Sequence, residues 1–221
     1  ELGADGLPLE RGGLPKMPLP RRMYAGATLA FHAPILIGDD LRRETEFSDV
    51  QLRKGATGTL IIATRTQRIY TPRGLAITED AVSVFREAVP PGQKSGIPKT
   101  EPPPAGLAWS RSIRPDPVSL FRYSALTFNP HRIHYDRPYV MDVEGFPGLV
   151  VHGPFSQQCL LDLLRDSTPR PIVKFAMRAR SPLFDTAPFT VMGGMVSDTE
   201  ADLFAVGPSG GIAMQARATL G

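Results

Sequence analysis

At 221 residues, with 42% hydrophobic and 21% charged residues, the chain has the composition of a soluble globular protein, long enough for one large domain or two small ones. Its net charge of +3 is spread among interspersed bases and acids, which offers no basic block for nucleic acid, and no apolar run is long enough to cross a membrane as a helix. A single cysteine, Cys159, excludes an internal disulfide and a cysteine-built zinc site and fits a reducing compartment, the cytoplasm or, in a eukaryote, the mitochondrion.

Residues 1–20 are rich in Gly and Pro, lack a period, and read as an extended arm. From Arg21 the pattern changes: Met23, Ala25, Ala27, Leu29 and Phe31 alternate as in a half-buried strand. Segments 42–52, 58–70 and 75–88 read as three more strands, with residues 54–58 suiting a hairpin loop. Four consecutive strands predict an antiparallel meander. The proline-rich stretch 89–107 cannot form a compact core and reads as a linker. The expected organisation is therefore an N-terminal unit over 1–88, a linker over 89–107, and a second unit over 108–221.

In the second unit, 108–113 predicts a strand and 118–125 a short helix or turn with an apolar face. GPFSQQCLLDLLRD, residues 153–166, carries the clearest helical signal. Pro154 suits the first turn, where its missing N–H costs nothing. Phe155, Cys159, Leu160, Leu163 and Leu164 recur at helical spacing, Leu161 widens the apolar face, and Pro169 and Pro171 stop the helix. Three β-like segments follow, at 172–181, 188–197 and 201–220, the last broken by a turn at 207–211. The fold class is α+β, with an antiparallel sheet able to wrap one helix. The first half shows no helix before its strands, which reads as a degenerate repeat or as a helix upstream of Glu1.

Of the four histidines, His131, His134 and His152 fall within one short region, at or just before this helix, and His32 reads as a structural or surface residue. Two of them lie in TFNPHRIHYD, residues 127–136. On a regular helix this i, i+3 pair would share a face, but Pro130 and the turn-like surroundings oppose one, and no third metal ligand has a suitable spacing. Gly153 opens the best helix. Its backbone N–H has no intrahelical partner and sits at the positive end of the helix dipole. Such a donor can polarise a thioester carbonyl and stabilise an enolate, and a histidine facing it would supply proton transfer.

These segments resemble the MaoC-like, R-specific enoyl-CoA hydratases of the hot-dog fold, whose loop reads Ser-Gly-Asp-x-Asn-Pro-x-His. Aligned without a gap, Thr127 takes the Ser place, Phe128 the Gly, Asn129 the catalytic Asp, His131 the Asn, Arg132 the Pro and His134 the catalytic His. The stretches PLPRRMYAG, LFRYSALTFNPHRIHYDRPY and EGFPGLVVHGPF are similar to a branch containing mesaconyl-C4-CoA, or 3-methylfumaryl-CoA, hydratases, itaconyl-CoA hydratases and mitochondrial 3-hydroxyacyl-thioester dehydratases. The resemblance implies a double hot-dog whose first unit lacks the catalytic loop and whose N-terminal part is truncated. It implies reversible hydration of an enoyl-CoA thioester without metal or redox cofactor, in a homodimer.

Asn129 departs from the pattern, because an amide cannot accept the proton a carboxylate can. His134 is then expected to transfer protons alone, Asn129 to position the water, and the Gly153 N–H to hold the thioester oxygen. His131, His152, Arg132 and Arg122 are the expected substrate-binding residues. Arg21 and Arg22 are further candidates for CoA phosphates or an acyl carboxylate. The alternatives are a 3-hydroxyacyl-thioester dehydratase of fatty-acid synthesis, a hot-dog thioesterase using a helix carboxylate such as Asp162, and a non-catalytic acyl-CoA-binding subunit.

Overall fold

Nine strands join in one antiparallel sheet in a computed structural model that describes residues 1–9, 17–55, 58–90 and 92–221. Of the first four, β1 (Arg21–Phe31), β2 (Arg42–Gly55), β3 (Gly58–Thr71) and β4 (Gly74–Arg86), the last three form a meander as expected, but β1 pairs with β4 and not with its sequence neighbour β2. β5 (Trp109–Ile113), β6 (Ile172–Ala179), β7 (Phe189–Met195), β8 (Glu200–Val206) and β9 (Ile212–Leu220) complete the sheet. The spatial order is β2-β3-β4-β1-β6-β9-β8-β7-β5. β1 is the seam between the halves, pairing with β4 on one side and β6 on the other. The predicted hairpin loop between β2 and β3 includes residues 56–57, and the arm includes 10–16, both outside the described residues.

Helix α1 (Pro117–Thr127) and helix α2 (Gly153–Ser167) lie in the second half. Leu160, Leu163 and Leu164 of α2 are buried and join Phe175, Phe189 and Leu203 of the strands in the main core. This is the apolar face read from the 3.6-residue period, and burying it against the sheet gives the helix most of its stability. The first half has a small core of Ile61, Ala63 and Phe85, with Met17, Leu19 and Phe47 packed against it. Much of the rest of that sheet face is polar.

Glycine permits two close backbone approaches. β1 carries an irregularity between Tyr24 and Gly26, and a Cβ at Gly26 would sit 2.4 Å from the Met177 carbonyl oxygen, so glycine lets β1 and β6 approach at that bend. Residues 1–9 fold onto the histidine loop. Asp5 and Ala4 carbonyls accept from the Arg132 backbone N–H at 2.8 Å and its guanidinium at 2.9 Å. Gly6, at φ +83°, lies so close to the Pro130 carbonyl that a Cβ would meet it at 2.3 Å.

Candidate active site

The histidine loop begins where α1 ends. Asp116 caps the helix start by accepting from the Val118 and Ser119 N–H groups at 2.8 and 3.0 Å. At the other end Phe128 adopts a left-handed conformation (φ 50°, ψ 38°), and the Asn129 N–H closes onto the Ser124 carbonyl at 2.9 Å. Glycine would reach this conformation without steric cost, whereas a residue with a Cβ pays about 1–2 kcal/mol. The Asn129 Oδ1 then accepts the His131 N–H at 3.2 Å, and the chain tightens into a 3-10 turn at Arg132–His134. A π-helical turn, Tyr139–Val143, follows.

His134 is buried, and its Nδ1 lies 2.7 Å from the Val150 carbonyl oxygen. A carbonyl only accepts, so Nδ1 carries the proton and Nε2 holds a lone pair. Burial pushes the pKa of His134 down to about 4, against the opposing pull of the Val150 carbonyl. The imidazole is therefore neutral at physiological pH. His152 stacks on it with ring centroids 3.6 Å apart and planes 18° from parallel. His131 meets it edge-on at 5.6 Å.

His152 precedes α2 and is fully buried. Its Nε2 lies 2.8 Å from the Ser124 hydroxyl, while Nδ1 has no partner among the described residues. Burial first, then the neighbouring His134 and His131, push its pKa down to about 2. This histidine fixes the plane of His134 and adds no charge beneath it.

Gly153 starts α2 without a side-chain cap on the helix. A Cβ there would lie 2.4 Å from Cδ1 of Tyr24, whose hydroxyl donates to Gln157 Oε1 at 2.9 Å. Tyr24 thus closes against the helix start, and burial, then Glu79 and Tyr123, raise its pKa above the ordinary phenol range. A cleft of about 1550 Å³ is lined by Asn129, His131, His134 and Gly153 from the second half and by Arg22, Tyr24, Arg65 and Glu79 from the first-half sheet, among others.

The structure thus brings four of the expected site residues, Asn129, His131, His134 and Gly153, to one cleft. His152 lies behind them as a buried support and does not line it. Arg132 donates to Asp136 at 2.7 and 2.9 Å, and its guanidinium stacks 4.3 Å from the Tyr139 ring centroid. Arg122 is exposed on α1, away from the cleft. Asp162 accepts from Gln158 at 2.8 Å and is not among the cleft residues. Among the described residues, no group of three or more His, Cys, Asp or Glu side chains could hold a metal ion. Sequence reasoning missed Ser124, the Val150 carbonyl and Tyr24, each joined to the site across a long sequence separation.

A family model for hydroxyacyl-thioester dehydratase type 2 matches residues 1–185. The chain belongs to that family. It is 46% identical over 222 residues to the mesaconyl-C(4)-CoA hydratase of Chloroflexus aurantiacus, an alignment covering 100% of this chain and 78% of the relative. Among solved structures it resembles a MaoC-like dehydratase with a TM-score of 0.73 at 16% identity, over 90% of this chain and 75% of the other. A Mycobacterium tuberculosis protein described as having a double hot-dog fold matches with a TM-score of 0.63 at 13% identity, over 89% and 74% of the two chains. This hydroxyacyl-thioester dehydratase type 2 family member therefore has the α+β double hot-dog fold expected of its sequence.

Proposed function

We propose that the protein catalyses the reversible hydration of an enoyl-CoA thioester, with mesaconyl-C4-CoA as the narrower choice of substrate. The observation that carries this reading is His134. A neutral imidazole, held through Nδ1 by Val150, shares one cleft with the unpaired N–H end of α2. The relative 46% identical along the whole chain favours the mesaconyl thioester. The family name favours the reverse reaction on a hydroxyacyl thioester, which the same groups would serve.

In this reading the thioester oxygen accepts from the Gly153 N–H. The Asn129 amide N–H₂ donates to a water, leaving a water proton directed at His134 Nε2. The water oxygen attacks C3 as Nε2 takes the proton. The alkene electrons move to C2, and negative charge develops on the thioester oxygen at the positive end of α2. The imidazolium then returns its proton to C2, giving the 3-hydroxyacyl thioester and the original imidazole. A buried imidazolium is a strong acid, so this return is favourable. One group performs both transfers, so H and OH enter from the same face.

Purified protein is mixed with mesaconyl-C4-CoA while alkene absorbance and free thiol are followed. Alkene loss without free CoA is expected, and His134→Ala should lower its rate by about 10²–10⁴-fold. Release of free CoA would point to a thioesterase, and tight binding without turnover to a support subunit. The same reading includes a homodimer in the cytoplasm, in keeping with the free thiol of Cys159; light scattering on the purified protein reports the subunit number.

A further inference from the structure

The fold treats Arg21, Arg22, Arg122 and Arg132, the arginines expected to meet an anion, differently. Arg21 pairs with Glu144 at 2.6 Å and also donates to Ser95 at 2.9 Å. Arg132 pairs with Asp136, and Arg122 faces solvent. Of these four, Arg22 alone lines the cleft without a carboxylate within ion-pair distance among the described residues; Arg43, Arg86 and Arg180 also line the cleft without an ion pair, but they are exposed, whereas Arg22 is half-buried.

Arg22 is nevertheless held in place. Its Nε and Nη2 both donate to the buried Ser83 hydroxyl, at 3.2 and 3.0 Å, and its guanidinium lies 5.9 Å from the Phe85 ring centroid. The strand register explains this cradle: Arg22 is opposite Phe85, and Tyr24 is opposite Ser83. A serine hydroxyl carries no charge, so a half-buried cation is left without an anion, a costly arrangement unless a ligand supplies one. Two donors are spent on Ser83. The remaining N–H groups of Nη1 and Nη2 form the outer edge of the guanidinium fork, which matches the two oxygens of a carboxylate. Arg65, elsewhere in the same cleft, differs in that Glu79 lies near enough for the two charges to act on each other.

The position fits the acyl end of a substrate. Arg22 is two residues from Tyr24 on the same strand face, roughly 6.6 Å along the strand. The Tyr24 ring touches Gly153, where the thioester oxygen is placed. A four-carbon diacid esterified at one end is short enough to span that interval with its free carboxylate.

We propose that Arg22 is the acyl-carboxylate receptor of the cleft, selecting dicarboxylic over simple alkyl enoyl thioesters. This rests on the enoyl-thioester reading of the site. The same guanidinium could receive a CoA phosphate, and thioesters with and without the CoA phosphates separate the two anions.

The test is calorimetric binding of two unreactive thioesters with the same CoA, methylsuccinyl-C4-CoA with a free carboxylate and butyryl-CoA without one. Arg22→Gln should weaken methylsuccinyl-C4-CoA by at least ~30-fold and butyryl-CoA by less than about threefold. Arg22→Lys, which keeps the charge and loses the fork, should fall between wild type and Gln, and it serves as the folded variant if Gln does not fold. Equal weakening of both thioesters would overturn the proposal, as would no weakening of either. With methylsuccinyl-pantetheine, which lacks the CoA phosphates, the selective loss should persist; its disappearance would assign Arg22 to phosphate and overturn the carboxylate role. Binding is read apart from turnover, so a wild type that hydrates no enoyl thioester would defeat the proposed activity without deciding the Arg22 result.

Discussion

Acid should test the His134 assignment on two separate readouts. Burial pushes the pKa of His134 down to about 4. At pH 5 about nine-tenths of it therefore remains neutral, against about 3% of an ordinary imidazole. The base form is the active one in hydration, so kcat/KM should stay near its plateau to about pH 5 and fall with a midpoint near 4. Stability should behave differently. The folded pKa lies below the unfolded value near 6.5, so the unfolded chain takes the proton first, and stability present above 6.5 is lost as pH falls. His134 should cost about 2 kcal/mol between pH 7 and 5, and His152, pushed down to about 2, a similar amount. Glu79, raised by burial, acts in the opposite sense and trims the loss. The Tm at pH 5 should then lie roughly 5–15 °C below that at pH 7. Rates are measured by rapid pH jump, before unfolding, with crotonyl-CoA as a check whose acyl group does not titrate. An acid limb centred near 6.5, or a Tm unchanged between pH 7 and 5, would refute the neutral buried pair.

Ser124→Ala removes the hydrogen bond to the His152 ring, leaving a second buried nitrogen unpaired at a cost of about 1–3 kcal/mol. Calorimetry should show a Tm lower by several degrees, and an unchanged Tm would mean that the Ser124–His152 contact contributes nothing. Gly153→Ala drives a Cβ to within 2.4 Å of the Tyr24 ring, which is tethered to Gln157. It should cost about 1–3 kcal/mol in stability; in a Tyr24→Ala background most of that cost should vanish, and equal costs in both backgrounds would rule out Tyr24 as the obstacle.

The elements were legible where the chain repeats. The apolar period of 153–166 gave α2 its core face, because Leu160, Leu163 and Leu164 are spaced for one side of a helix and the fold buries that side. Residue alternation marked the strands for the same reason. That His134, Asn129 and Gly153 would share one cleft was legible because they stand in two short motifs, 127–136 and the start of α2. Their supports were not. Ser124 looks like any polar residue of an amphipathic helix until α1 docks and sets it 2.8 Å from His152. Tyr24 reads as one residue of an alternating strand, and only the packing of β1 on the start of α2 shows why position 153 has no side chain. His152 stands next to Gly153 and so invited a binding role, yet burial turns it into a support. Arg132 stands inside the motif, but its charge is taken by Asp136 and its main chain by the arm. Sequence proximity identifies what is near the reaction; the ion pairs decide which charges remain for a ligand.

That distinction also bears on Asn129. A carboxylate beside a buried imidazole would favour the imidazolium and raise its pKa, stabilising an ion pair at rest. Asn129 brings no charge. Its Oδ1 shapes the loop by accepting the His131 N–H, and its amide N–H₂ is the part left to meet a water. His152, neutral and stacked on His134, adds none either. In the proposed hydration the loop and the buried histidine beneath it would thus work in one direction, keeping His134 neutral until a water gives up its proton. The imidazolium formed in that reaction would lie in surroundings that disfavour it, which would drive the proton on to carbon. A second acid/base group would relieve that pressure, so loss of the carboxylate at position 129 is consistent with a catalytic site in which one histidine carries the proton both ways.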